Sequence, residues 1–520
     1  MKNHQLFFCI KLINKPALFD VSGFSKGYGM IKVYLKNFFT RCHFFLEKQT
    51  DVNKSTLIIL VFAILSRIQF FGNPLLDSDE GFYLLVGERM LHGALPYVDI
   101  WDRKPIGLFL LYAGIRCMGG DGVLAYQLVG TVFVFLTGLI IAKIARYFTN
   151  NTGATLAAVA YLIWLTLGSA SGGQAEIFYG LPVAVAALVT LRGWVGLSDR
   201  TVWLQGAVAM LLLGVAMQIK YTVMFEGIFL GCCWLCIAWR SGARGLLSVY
   251  GLFWVFIALF PTILAFGYYL AIGQDQSFIY ANFSSVWQRS APSHAAIYGR
   301  LKGILLILLP LFACIRIRVP LSNSLARVSY RFAFCWLLAA ITGFLIFGTY
   351  LEQYLLPIVI PASITAAPFF GREGKRRRAL VFLGCFFLVG QIKLGVTQIA
   401  HGSGSELSTI LQHVDRSKCL FVYSGVSTLY RMSGACIPTP FAFPSHLSRA
   451  REEKAIPAVP LQEVKRIMLS APGTVIIRSP YKGDENWAAR ALVLSYVQRD
   501  YTLVFHGKLG WQDVDVYRLK

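Results

Sequence analysis

The residues most able to do chemistry lie close together in the first third of the chain. Asp77-Ser78-Asp79-Glu80-Gly81-Phe82-Tyr83 follows the first long apolar stretch, and Trp101-Asp102-Arg103-Lys104-Pro105 comes soon after, with Gly93-Ala94-Leu95-Pro96-Tyr97-Val98-Asp99 between them. A carboxylate can take a proton from an attacking hydroxyl. A lysine or arginine can meet the charge that develops on a departing anion. Such groups are costly beside a bilayer, roughly 2.5–3.5 kcal/mol each at a helix centre, and there they mark function. The cluster is the expected seat of the chemistry.

The rest of the chain must position that cluster, and it is mostly apolar. Of 520 residues, 56% are hydrophobic and 14% charged, against about 25% charged in a soluble protein. Apolar runs of spanning length, roughly 17–25 residues, recur near 55–72, 123–147, 153–170, 177–195, 202–219, 222–239, 247–271, 301–316, 331–348, 353–370 and 379–399. The expected fold is an all-α polytopic membrane protein of about 11 transmembrane helices.

The net charge of +23 does not point to nucleic acid, because the cations sit in short loops between spans rather than in one basic patch. Arg240 with Arg244, then Arg316, Arg318, Arg327 and Arg331, then Arg372 with Lys375 to Arg378 form such loops. With a cytoplasmic amino terminus they fall on the inner side, and the carboxyl-terminal part falls outside. The loop 73–122 is then external, with two short surface helices expected near 81–92 and 106–118. Residues 1–54 read as a basic cytoplasmic segment without a convincing signal peptide, and Met30 offers an alternative start.

From 401 the pattern changes. Short β-like runs (420–423, 474–478, 502–505, 514–518) alternate with helical patterns at 461–470 and 486–498, which predicts a small external α/β domain over 401–520, beside a transmembrane domain over 55–400. Most of the eleven cysteines lie in apolar runs, where they act as small hydrophobes; Cys419 and Cys436 could pair in an oxidising compartment. Cys233 and Cys236 lack the second pair that a metal site needs. His92, His294 and His401 show no ligand spacing.

The run Asp79 to Tyr83, then Gly93 to Asp99 and Asp102-Arg103-Lys104-Pro105, resembles the first external loop of bacterial family-39-type glycosyltransferases. These are GT-C fold enzymes related to protein O-mannosyltransferases and to the aminoarabinose transferase of lipid A. Gln174-Ala175-Glu176, Tyr350 to Pro357, and Val422-Tyr423-Ser424-Gly425 with Leu429-Tyr430 agree with it. The similarity covers most of 55–520 and is strongest in 77–126. Ile106 departs from it, standing where the family usually has a second proline.

The resemblance implies inverting transfer of a sugar from a polyprenyl-phosphate donor to an envelope glycan, lipid or protein at the outer face of a bacterial inner membrane. Asp79 would be the base, with Glu80 beside it, and Lys104 the cation at the leaving phosphate, with Arg103 as a weaker candidate. Asp77, Tyr83, Glu176, Glu352 and Tyr354 are candidate substrate-binding residues. No cofactor is required; Asp77-Ser78-Asp79 could take a divalent metal, which a monophosphate leaving group does not demand. Two other readings stay open. Asp79 and Glu80 also suit the positive end of a helix starting near Gly81, and a transporter or flippase of a lipid-linked sugar would use similar spans.

Overall fold

A computed structural model describes residues 53–170, 172–196, 201–316, 321 and 323–520. Residues 1–52, which hold most of the basic segment and Met30, lie outside the described residues, as do Ser171 and Arg318. The chain divides into Met1–Thr56 and Leu57–Lys520, and apart from the first turn of the first helix the second unit carries every feature that follows.

Each expected span coincides with a helix. In chain order they are α1 (53–65, continued by a 3₁₀ turn at Ile68–Phe70), α4 (Val123–Ala145), α5 (Asn151–Leu167), α6 (Ala175–Gly196), α7 (Val202–Met217), α8 (Met224–Arg240), α9 (Leu247–Ala271), α10 (His294–Arg316), α11 (Ser324–Phe347), α12 (Leu356–Phe370) and α13 (Arg376–His401). Between α1 and α4 lie α2 (Ser78–Leu91) and α3 (Ile106–Arg116). Among the described residues nine helices are long and apolar enough to cross a bilayer, while α5 and α7 fall just short.

The outer helices present apolar side chains to their surroundings. Leu252 is 75% exposed on α9, with Val249 and Leu264 also bare. A soluble protein rarely exposes a contiguous face of this kind, whereas lipid is its natural solvent. The protein is therefore a multi-pass membrane protein. Inside the bundle α5 is buried from Gly153 to Leu167, and α12 is almost as enclosed. Ala154, Ala157, Ala158 and Ala160 keep α5 slim, as close packing in lipid requires.

Residues from Gly404 onward carry the sheet. Helices α14 (Gly404–Gln412), α15 (Thr428–Ser433), α16 (Pro460–Leu469) and α17 (Trp487–Asp500) accompany β1 (Leu420–Val422), β2 (Thr474–Arg478), β3 (Tyr501–Leu509) and β4 (Gln512–Leu519). The sheet order is β1-β2-β4-β3, with β1 parallel to β2 and the other pairs antiparallel. A parallel neighbour needs a long crossover, and α15 and α16 fall within it. Gly510 turns the β3–β4 hairpin at φ +60°, and a Cβ there would stand 2.2 Å from Ala400 O. Glycine is required for both reasons. Cys419 and Cys436 form a disulfide.

This carboxyl-terminal part sits directly on α2. Thr428 meets Gly81, and the Phe443 ring lies 5.2 Å from that of Phe82. On another side, Gly87 lets α3 approach so closely that a Cβ there would stand 2.6 Å from Ala113 N. Residues Glu80 to Gly87 are consequently all buried. The sequence predicted a helix at the surface here; packing encloses it on several sides.

Candidate active site

The start of α2 sets the geometry. Asp77 is its N-cap, its Oδ1 accepting the Asp79 N–H at 2.8 Å. Capping therefore belongs to Asp77, and Asp79 and Glu80 occupy the first turn. Asp79 Oδ2 accepts a hydrogen bond from Tyr83 OH at 3.2 Å, one helical turn on. Lys104 Nζ stands 3.8 Å from the same oxygen, and the two side chains keep 25% and 23% of their surfaces open. Both can meet a ligand.

Lys104 reaches this point from a firmly held loop. Tyr97 OH donates to Lys104 O at 2.8 Å, and Tyr97 itself has φ +70°, a sparsely populated conformation of the kind found near functional sites. Ile106 is the first residue of α3, a position that suits proline but does not need it, so the departure there leaves the lysine's support intact. Burial opposes the Lys104 charge, but Asp79 and Asp102 outweigh it and hold the amine above the ordinary lysine range. Glu176 and Tyr354 also face it.

Glu80 differs from its neighbour. It lies about 100° further round the helix, is 1% exposed and packs against Gly172, where a Cβ would collide with its carboxylate. Burial, and then the charge of Asp77, push its carboxyl well above the usual range. Burial and Asp79 likewise push Asp77 up to about 7. Arg67 lies beside Glu80 and donates to Gly172 O at 2.5 Å and to Thr131 Oγ1 at 3.0 Å. Glu80 and Arg67 thus secure the turn before α6.

The other candidates divide. Glu176 pairs with Lys220, whose Nζ lies 3.8 Å from the centre of the Tyr354 ring. Lys220 was not singled out from the sequence. Its signal was a lone cation between two apolar runs, the only one from 201 to 239. Beside it lies a small cleft lined by Tyr354, Phe225, Phe344, Phe347 and Pro357, with Thr222 and Glu226 among its lining residues. Glu352 lies instead with Lys393 at 2.6 Å and Ser169 Oγ at 2.5 Å, tying the start of α12 to α13. Arg103 points to Glu452, 2.5 Å away. Among the described residues no group of three or more His, Cys, Asp or Glu side chains is arranged to hold a metal ion.

Glu452 is 2% exposed, and Arg289 also reaches it at 2.7 Å. Burial raises its pKa, but Arg103 and Arg289 outweigh burial and lower it from 4.5 to about 2. A depressed carboxylate stabilises the fold above its unfolded value, and the contribution is lost as pH falls from 4.5 towards about 2. The melting temperature of Glu452→Gln should therefore lie below the wild type at pH 6, the gap closing as the pH approaches 2. A constant gap would assign the stabilisation to another group.

The comparisons with known proteins fall into place on this geometry. No family model matches the sequence, and no curated protein matches it. Among solved structures, a crystal structure of ArnT from Cupriavidus metallidurans bound to undecaprenyl phosphate superposes with a TM-score of 0.61, covering 89% of this chain and 97% of that one at 14% identity. The fold is of the GT-C type. At this identity the likeness is one of architecture.

Proposed function

We propose that this protein is an integral-membrane glycosyltransferase of the family-39 type. It transfers a sugar from a polyprenyl-phosphate donor to a hydroxyl of an envelope glycan, lipid or protein. The observation that carries this reading is the half-open Asp79–Lys104 pair, 3.8 Å apart, in a GT-C fold whose solved counterpart holds undecaprenyl phosphate.

In the proposed reaction the acceptor hydroxyl gives its proton to Asp79 as its oxygen attacks the anomeric carbon. The bond from that carbon to the phosphate oxygen breaks on the opposite face, with inversion. The bonding electrons leave with polyprenyl phosphate, whose growing charge Lys104 meets. Tyr83 orients Asp79, and Lys220 supplies a second cation beside Tyr354. Glu176 and Tyr354 then border the donor head group, while Glu80, Arg103 and Glu352 support the walls. No metal is required in this scheme.

The membrane is proposed to be the bacterial inner membrane, with the amino terminus cytoplasmic and the carboxyl-terminal part on the outer face. The basic loops and the Cys419–Cys436 disulfide support this orientation, since disulfides persist in oxidising compartments. The test is incubation of membranes holding the protein with a panel of polyprenyl-phosphate sugars and envelope acceptors. Mass spectrometry should detect released polyprenyl phosphate and sugar mass gained by one acceptor. Movement of lipid-linked sugar across vesicles without release would favour a transporter.

A further inference from the structure

Lys104 lies in a loop without regular secondary structure, ahead of α3. A long side chain on such a loop reaches one point in space only if its backbone is held. The three residues before it are each gripped by the carboxyl-terminal part of the chain. Trp101 N–H donates to Pro440 O at 2.9 Å, and its ring meets His446 at 4.8 Å between centroids. Asp102 Oδ1 faces His446 Nε2 at 3.7 Å. Arg103 Nη2 donates to Glu452 Oε2 at 2.5 Å and to Ala455 O at 3.3 Å.

These contacts are shielded from solvent: Trp101, Asp102, His446 and Glu452 are all under 8% exposed. Burying ion pairs costs desolvation that their attraction does not always recover, so such pairs are weak evidence for stability and can instead serve to specify geometry. Burial keeps His446 below its ordinary pKa despite Asp102, and at 3.7 Å the two side chains are in close polar contact without a formed hydrogen bond. Tyr97 OH in turn fixes the Lys104 carbonyl. The backbone is clamped fore and aft, and the amine is left facing Asp79.

We propose that Glu452 and His446 are positioning residues for Lys104. Through Arg103 and Asp102 they fix the backbone from which the lysine reaches the phosphate. The carboxyl-terminal part thereby belongs to the active-site apparatus, in addition to any part it plays with the acceptor. The inference rests on the reading of Lys104 as the cation at the donor phosphate.

The test is a double-mutant cycle on the purified full-length protein in nanodiscs, with affinity for undecaprenyl phosphate as the readout. Glu452→Gln should weaken binding about tenfold in the wild-type background and by less than about twofold in a Lys104→Ala background, because a residue acting through Lys104 has nothing left to act on. Glu452→Asp, which keeps the charge, should recover part of the loss. Asp500→Asn, in the exposed Arg499–Asp500 pair, which makes no ion pair with this loop, should bind as the wild type does. Where Glu452→Gln does not fold, His446→Asn enters the same cycle. Equal losses in both backgrounds, or no loss in either, would overturn the proposal. A Lys104→Ala protein that binds as tightly as the wild type would overturn the phosphate-site reading itself, an outcome told apart by that single variant.

Discussion

Asp79→Asn should lower the release of polyprenyl phosphate by about 10²–10⁴-fold, the range that a positioned general base supplies, while leaving donor affinity within about threefold of the wild type. The substitution is nearly isosteric. The amide oxygen can still accept from Tyr83, and the helix retains its cap because capping rests on Asp77. What disappears is the capacity to take a proton. Affinity should hold because the donor's phosphate faces Lys104 rather than Asp79, and loss of the carboxylate even removes a competitor for that amine. The measurement is single-turnover release followed by mass spectrometry, with binding of undecaprenyl phosphate measured in parallel. Turnover equal to the wild type would remove Asp79 as the base.

Lys104→Ala should behave differently, because its charge meets the donor both before and during reaction. The phosphodiester of the bound donor carries one negative charge, and the departing monoester gains a second. We expect turnover to fall by about 10²–10³-fold, as for loss of a group placed to stabilise developing charge, and affinity for undecaprenyl phosphate to fall as well. Lys104→Arg should recover part of the affinity but less of the rate, since a planar guanidinium does not place its charge where a compact ammonium does. If Lys104→Ala weakens neither step, Lys220 beside Tyr354 becomes the principal phosphate cation.

The helices were legible because hydrophobicity is a local property. A run of about twenty apolar residues specifies a span whatever surrounds it, and α9 or α11 could hardly be anything else. The strands near 474–478 and 514–518 were legible from β-branched and aromatic runs between turn residues, and they occur as β2 and β4. Their lateral order was not, because pairing β2 between β1 and β4 depends on contacts between distant segments.

The cluster of Asp79, Glu80 and Lys104 was visible as residue types in a suggestive order. Helical geometry, which the letters do not carry, separates the first two: Asp79 faces Lys104, and Glu80 turns inward against Gly172. Arg103 illustrates the same limit. Beside Lys104 in sequence it looked like a second phosphate cation, yet its partner Glu452 lies some 350 residues away.

The sequence by itself determined that this chain dissolves in a bilayer and roughly where its spans lie, although the helices at His294–Arg316 and Ser324–Phe347 each begin seven residues before the expected start. It also marked which charged residues are too costly to be idle. Only the tertiary structure decided which of those charges meet. It brought Lys220 to Glu176 and Tyr354, and it closed the carboxyl-terminal part over the Lys104 loop. The reason is physical: transfer of a segment into lipid is a sum over that segment's own residues, whereas an ion pair depends on a few ångströms between groups that the chain brings together only when every helix has packed.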